Sequence, residues 1–91
     1  MESLYQQALS LYHQGDYEGA FDLLYGETDR ECLLLELECK RLLTDQYVYL
    51  IKDALEQKEY AEARRLKETF LSKFGSDTTI NAFQIPEDFN L

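Results

Sequence analysis

The side chains best suited to metal binding or nucleophilic chemistry in this sequence are His13, Cys32 and Cys39. His13 is the only histidine, and we expect it on the surface near a helix end, where the helix dipole stabilises it. The cysteines stand seven residues apart in a helical pattern, which places them about 10 Å apart along the helix axis. That separation excludes an intrachain disulfide, and the spacing is not a usual zinc-binding pattern. We therefore predict two buried core thiols, no metal and no cofactor.

Patterns typical of enzymes are missing from the sequence as well. It contains no Gly-rich phosphate loop, no serine, histidine and aspartate set, and no paired Glu-x-x-His motif. A single histidine without an activated nucleophile makes a poor active site. We expect a protein without catalytic activity.

Composition narrows the class of protein further. The 91 residues suffice for one small domain, and 45% apolar and 30% charged residues are typical of a folded chain. A net charge of −9 repels phosphate backbones and acidic lipid surfaces, so we predict no nucleic-acid and no membrane partner. Every apolar run in the sequence, such as residues 32–35, is far shorter than the roughly 18 residues of a membrane span. The N-terminus also lacks the pattern of a secretory signal, which predicts a cytoplasmic protein.

Charge is unevenly distributed along the chain. Residues 1–38 hold nine acidic residues and one basic residue, a net charge of −8. Residues 39–75 hold eight basic and six acidic residues, a net charge of +2. This polarity can orient a basic partner or a head-to-tail contact, or it can reflect only solvated helix faces.

Local signals predict a first helical hairpin. Ser3 can cap a helix over residues 3–14, and Gln6 can reach back to it. Gly15 suits the left-handed position that ends this helix, and Asp16 suits the N-cap of the next one. The second helix is predicted to bury Tyr17, Ala20, Phe21 and Leu24.

Three further helices are predicted between Gly26 and Gly75. The third begins near residue 28 and carries an apolar stripe wide enough to lie between two neighbouring helices. That stripe comprises Cys32, Leu35, Cys39 and Leu42, flanked by Leu34, Leu37 and Leu43. Thr44 or Asp45 is predicted to cap a fourth helix. The fifth follows a break near residues 58–59 and is predicted to bury Ala63, Leu66, Phe70 and Phe74.

The predicted fold class is all-α, because no segment alternates with a period of two over a useful length. We expect about five helices packed as antiparallel hairpins over residues 1–75. Residues 76–91 change in character, with isolated apolar side chains among Asp, Thr and Asn and with Pro86. We predict an irregular tail there, either a linker or an arm that docks its apolar side chains.

The first hairpin resembles the tetratricopeptide repeat, a helix-turn-helix unit with small residues where its helices cross. The residues that carry this resemblance are Leu4, Ala8, Gly15, Asp16, Tyr17, Ala20 and Leu24. It covers about the first 25 residues and departs from the family pattern at Gln7, Glu27 and Cys32. The resemblance implies a right-handed superhelix similar to that of the repeat family.

A weaker copy of this hairpin begins 43 residues later. Ile51 replaces Ala8 at the small position, and Lys58 replaces Gly15 at the turn. A lysine held in the left-handed conformation costs about 1 kcal/mol or more. We therefore expect the second hairpin to pack more loosely or to turn differently.

The resemblance also implies a groove for a partner along the first helices of the two hairpins. Its predicted residues are Tyr5, Leu9, Tyr12, His13, Val48, Lys52 and Leu55. Tyrosines and leucines in such a surface suit an extended or amphipathic peptide. The alternative is that Tyr5, Leu9 and Tyr12 pack on the third helix.

From these observations we expect a non-enzymatic interaction or adaptor module that binds a peptide or a helical segment of another protein. Two alternatives stay open. The first is a small acidic chaperone that shields an apolar client segment. The second is a structural domain that associates with itself as a homodimer, because arrays of such hairpins usually need about three units to be stable.

Overall fold

The computed structural model describes residues 2–87. This part of the chain contains five α-helices and no strand. They are α1 (Leu4–His13), α2 (Tyr17–Leu24), α3 (Arg30–Glu56), α4 (Tyr60–Phe74) and α5 (Thr78–Asn81). The all-α prediction is confirmed. The chain divides into two compact units, Met1–Leu43 and Thr44–Leu91. Over residues 2–87, none of the helices is both long and apolar enough to span a membrane.

The hairpin of α1 and α2 in the first unit has the predicted caps. The Ser3 hydroxyl accepts a hydrogen bond from the Gln6 backbone at 3.1 Å, and the Gln6 side chain accepts one from the Ser3 backbone at 3.3 Å. Gly15 has a left-handed φ of 85°, which a glycine adopts without steric strain. The Asp16 carboxylate then caps α2 by accepting a hydrogen bond from the Gly19 backbone at 2.9 Å.

The core of the first unit is built from small and large side chains together. Ala8 and Ala20 are 0% exposed, and the absence of large side chains at these positions lets α1 and α2 approach closely. The larger buried side chains from α2 and the first half of α3 are Phe21, Leu24, Cys32, Leu35, Cys39 and Leu43. The prediction that both cysteines are buried is confirmed, and both are free thiols.

The predicted break between a third and a fourth helix is wrong, because α3 spans both. Helix α3 runs without interruption from Arg30 to Glu56, so Thr44 and Asp45 lie inside a helix and do not cap one. Both residue types favour N-caps, but inside a helix they cost only about 0.5 kcal/mol each relative to alanine. No glycine or proline stands between Gly26 and Gly75 to stop the helix.

The turn between α3 and α4 in the second unit corrects a second prediction. Lys58 adopts the left-handed conformation with a φ of 61°, as Gly15 does in the first hairpin. The Lys58 backbone donates to Leu55 at 3.1 Å, and the Glu59 backbone donates to Ala54 at 2.8 Å. This pair of bonds is the Schellman pattern of helix ends. The lysine is therefore accommodated in an unmodified turn.

Two aromatic side chains, Phe70 and Phe74, belong to the core of the second unit. The centroid of the Phe70 ring lies 5.4 Å from that of the Tyr47 ring and 5.1 Å from that of the Phe74 ring. Phe70 is 0% exposed, and Ile51 on α3 is equally buried. The helix α4 ends before Gly75, as predicted. All four of its side chains that were predicted to be buried are buried: Ala63, Leu66, Phe70 and Phe74.

The predicted irregular tail includes the one-turn helix α5, which Asp77 caps through a 3.0 Å hydrogen bond from the Ile80 backbone. Ile80 is 0% exposed. Lys67 on α4 donates to the carbonyl of Phe83 at 2.7 Å, and Arg64 donates to that of Pro86 at 2.9 Å. These contacts favour a docked arm over a linker for residues 76–87. Residues 88–91, with Phe89 and Leu91, lie outside the described part of the chain.

Candidate functional site

Three leucines on the first half of α3 point into solvent. Leu33 is 43% exposed, Leu34 is 54% exposed and Leu37 is 64% exposed. Residues three and four apart on a helix are surface neighbours, so these side chains form one continuous patch. We call Leu33, Leu34 and Leu37 the leucine surface.

The leucine surface corrects the prediction that this helix is sandwiched between two neighbours. Of the predicted stripe, Cys32, Leu35 and Cys39 are buried and Leu42 is half-buried, with Leu43 beside them also buried. Leu34 and Leu37 were expected to flank that stripe under a second neighbour, and both are exposed. Only one apolar side of the helix is therefore used by the core of the first unit.

Charged residues border the leucine surface at both ends. A row of residues four apart begins at Asp29, the residue before α3, and continues on the helix through Leu33 and Leu37 to Arg41. A neighbouring row runs from Arg30 through Leu34 to Glu38. The first row is acidic, apolar and then basic, and the second row is basic, apolar and then acidic.

Glu38 links this border to helix α1. Its carboxylate accepts two hydrogen bonds from the Arg41 guanidinium, at 3.0 and 2.8 Å. This hydrogen bonding lowers the pKa of Glu38 below the ordinary glutamate value. The Tyr12 hydroxyl donates to the same carboxylate at 3.4 Å. Desolvation, and secondly the negative charge of Glu38, raises the pKa of Tyr12.

The predicted groove residues are distributed between the two units. In the first unit, Tyr5, Leu9 and Tyr12 are half-buried and His13 is exposed in the last turn of α1. In the second unit, Val48 and Leu55 are half-buried and Lys52 is exposed. The contact of Tyr12 with Glu38 agrees with the alternative that part of this set packs on α3. The groove as a whole stays a prediction.

One group of three potential metal ligands occurs within residues 2–87: Glu27, Asp29 and Cys32. Burial, and secondly a hydrogen bond to Asp29, raises the pKa of the Cys32 thiol to about 11, so the thiol is neutral at physiological pH. The group also lies at the N-terminus of α3, where the helix dipole favours carboxylates and opposes a cation. The two carboxylates therefore stabilise the start of α3, and Cys32 is a core residue.

Other exposed apolar side chains are more dispersed. Tyr25 follows α2 and is 74% exposed, and Tyr49 on α3 is 70% exposed. In the second unit, Tyr49 and Leu50 line a shallow hollow of about 400 Å³ together with Asp45 and Gln46. All four lining residues belong to α3. A hollow with one wall does not enclose a small ligand.

No protein-family model, known protein or solved structure matches this chain significantly. The likeness of the first hairpin to a tetratricopeptide repeat therefore stays a prediction from its residues.

Sequence reasoning missed the leucine surface for a physical reason. Leu33, Leu34 and Leu37 adjoin the buried residues Cys32 and Leu35, so the segment is apolar around most of the helix. Such a segment is typical of a helix buried on all sides. The surrounding acidic residues were the available signal that one side of it stays in water.

Proposed function

We propose that this protein is a non-enzymatic interaction module that binds a helix of another polypeptide chain through the leucine surface of α3. The observation that carries the proposal is the exposure of Leu33, Leu34 and Leu37 on one face of a regular helix. Contiguous apolar patches of this kind on a folded domain mark interaction sites. The resemblance of the first hairpin to repeats that bind proteins supports the same class of function.

The leucine surface suits a helix more than an extended peptide. Its side chains follow the spacing i, i+1 and i+4, which is how one helix offers ridges to another. Burying their exposed portions contributes roughly 2–5 kcal/mol in total. Association costs about 4 kcal/mol or more in lost translational and rotational freedom, so polar contacts at the border must add to the binding.

Photo-crosslinking at Leu37 tests this function. Replacing Leu37 with benzoylphenylalanine in cells of the source organism places a reactive group at the most exposed leucine of the surface. We expect irradiation to give a discrete covalent adduct with a second polypeptide chain. Competition by unlabelled wild-type protein should reduce the yield of this adduct.

The same replacement at Tyr49 is the matched control, because Tyr49 is an exposed apolar residue of the same helix. It should give no discrete adduct. Equal adducts from both positions, or none from position 37, would contradict the proposed function. The mass of the adduct also identifies which chain was bound.

A further inference from the structure

We infer that the helix bound by the leucine surface is α3 of a second copy of this chain, packed antiparallel about a twofold axis. This inference rests on the proposed function and names the partner of the same surface. Its basis is that the two rows of residues along this face are complementary to their own antiparallel copies.

The first row shows this self-complementarity. Asp29, Leu33, Leu37 and Arg41 are spaced four residues apart, which corresponds to about 6 Å along the helix for each step. A twofold axis at the level of Leu35 brings Leu33 opposite Leu37 of the second copy. The same axis brings Asp29 opposite Arg41 of the second copy. Each contact occurs twice, as an isologous interface requires.

The second row adds a complementary pair. An antiparallel copy brings Arg30 near Glu38 of the second copy, with Leu34 close to the twofold axis. In the antiparallel dimer, both rows therefore place an acidic residue of one copy beside a basic residue of the other copy, at each end of the apolar centre. Parallel packing would instead bring like charges together, which opposes it.

Charge favours a second copy over a basic partner at this face. Residues 1–43 hold nine acidic and three basic residues, a net charge of −6. The two rows carry two acidic residues, Asp29 and Glu38, and two basic residues, Arg30 and Arg41. This face is thus neutral within an acidic unit, and a neutral face can approach its own copy without net repulsion.

The size of the face indicates a weak dimer. Residues 29–41 extend over about 18 Å of helix. One face of a helix of that length presents much less area than the roughly 800 Å² per partner of a stable interface. We therefore expect a dimer that dissociates on dilution.

Two single charge reversals, D29K and R41E, test the antiparallel arrangement. In D29K the introduced lysine would face Arg41 of the second copy, and in R41E the introduced glutamate would face Asp29 of the second copy. Each variant alone creates two like-charge contacts per dimer, and we expect its dissociation constant to rise about tenfold. In an equimolar mixture, the introduced lysine of one variant faces the introduced glutamate of the other, while Arg41 and Asp29 pair as in the wild type. R41E also removes the ion pair between Arg41 and Glu38 of its own chain, which mixing does not restore. We therefore expect the mixture to form a heterodimer that is weaker than the wild-type dimer but tighter than the dimer of either variant alone.

Sedimentation equilibrium at several concentrations measures these states, with one variant carrying a fluorescent label. Loss of helix content in either variant is checked by circular dichroism, and L37Q provides an independent disruption that leaves all charges in place. L37Q should also weaken the dimer about tenfold, because both copies lose an apolar contact. Y49Q is the matched control and should dimerise like the wild type.

A wild-type chain that stays monomeric over the accessible concentrations would overturn the second-copy inference. Failure of the mixture to restore association would overturn the antiparallel arrangement. If the wild type is monomeric but residue 37 still crosslinks to a different protein, the inference fails while the proposed function stands. If neither association nor crosslinking depends on the leucine surface, both fail.

Discussion

The two hairpin turns of this chain have the same backbone and different side chains. In the first, the Gly15 backbone donates to Tyr12 at 3.0 Å and the Asp16 backbone donates to Leu11 at 2.9 Å. In the second, Lys58 and Glu59 make the equivalent bonds at 3.1 and 2.8 Å. The N-cap angles also agree, with φ and ψ of −89° and 74° at Asp16 and of −90° and 71° at Glu59.

The side chains give these turns unequal stability. Gly15 takes its left-handed conformation freely, whereas Lys58 does so at a cost of about 1–2 kcal/mol. Asp16 caps α2 with its carboxylate, whereas Glu59 makes no side-chain cap bond. Glycine is therefore not required for this reversal of the chain when packing elsewhere in the unit compensates for the strain. In the second unit, we expect this compensation from the aromatic cluster of Tyr47, Phe70 and Phe74 and from the docked arm, residues 76–87.

Removing the aromatic cluster should have the largest effect. Phe70→Ala leaves a cavity against Tyr47 and Phe74, and we expect the free energy of unfolding to fall by about 3–5 kcal/mol. Urea titration followed by circular dichroism measures this loss. Hydrogen exchange should show the loss first at amides of the second unit. An equally early loss of protection in the first unit would contradict the view that the aromatic cluster stabilises the second unit alone.

The docked arm should contribute the next largest amount. Ile80→Ala removes a fully buried side chain, and we expect a loss of about 2–4 kcal/mol in the second unit. Thr79→Ala, an exposed position of the same one-turn helix, is the control and should change stability by less than about 0.5 kcal/mol. Similar melting temperatures for both variants would show that the arm does not support the second unit.

The two N-cap residues, Asp16 and Glu59, should differ in their contribution to the free energy of unfolding by a smaller amount. Asp16→Ala removes the bond from the Gly19 backbone and should destabilise the first hairpin by about 1 kcal/mol. Glu59→Ala has no such bond to lose, and its effect should stay within about 0.5 kcal/mol. Chemical unfolding of the two variants side by side measures the difference. Equal losses would mean that Asp16 does not act through its cap.

Exchanging the turn residues tests the comparison from both directions. Gly15→Lys should destabilise the protein by about 0.5–1 kcal/mol, because added strain exceeds the entropy gained in the unfolded chain. Lys58→Gly should stabilise it by a similar amount. The double exchange should be close to neutral in thermal melts. A destabilising Lys58→Gly would indicate that the lysine side chain makes a contribution beyond its backbone conformation.

Alkaline pH should weaken the first unit selectively, because both cysteines belong to its core. Burial raises the pKa of Cys32 and that of Cys39 to about 11 in the folded chain, above the ordinary thiol value of 9.0. Their contribution to stability is present below pH 9 and declines as the pH rises towards 11. Hydrogen exchange should show this decline in the first unit. The variant with both cysteines changed to alanine should lose that part of the pH dependence.

Local signals predicted much of the fold. Capping by Ser3 and Asp16 and the stop at Gly75 follow from the sequence, because each depends on atoms within a few residues. The buried residues of α4 follow from the helical periodicity of its apolar side chains. The continuity of α3 did not follow from such signals. Thr44 and Asp45 favour a helix start in isolation, but the turns on both sides of them continue the helix.

The candidate site was the least predictable part, because exposure depends on which neighbours a helix has. The leucines at 33, 34 and 37 have the same local pattern whether a second helix covers them or water does. The burial of Ile80 likewise depends on the packing of α5 against α4. Caps and periodicity contain no information on either contact.

Isotope-filtered nuclear Overhauser spectroscopy on a mixture of labelled and unlabelled wild-type protein shows directly whether the leucine surface binds a second copy of the chain. Methyl groups of Leu33 in one copy should show cross-peaks to Leu37 of the other copy, at concentrations where sedimentation detects dimers. Leu50, an exposed leucine of the second unit, should show none. Intermolecular cross-peaks confined to Leu50, or none at Leu33 and Leu37 when dimers are present, would contradict the claim that this surface binds a second chain.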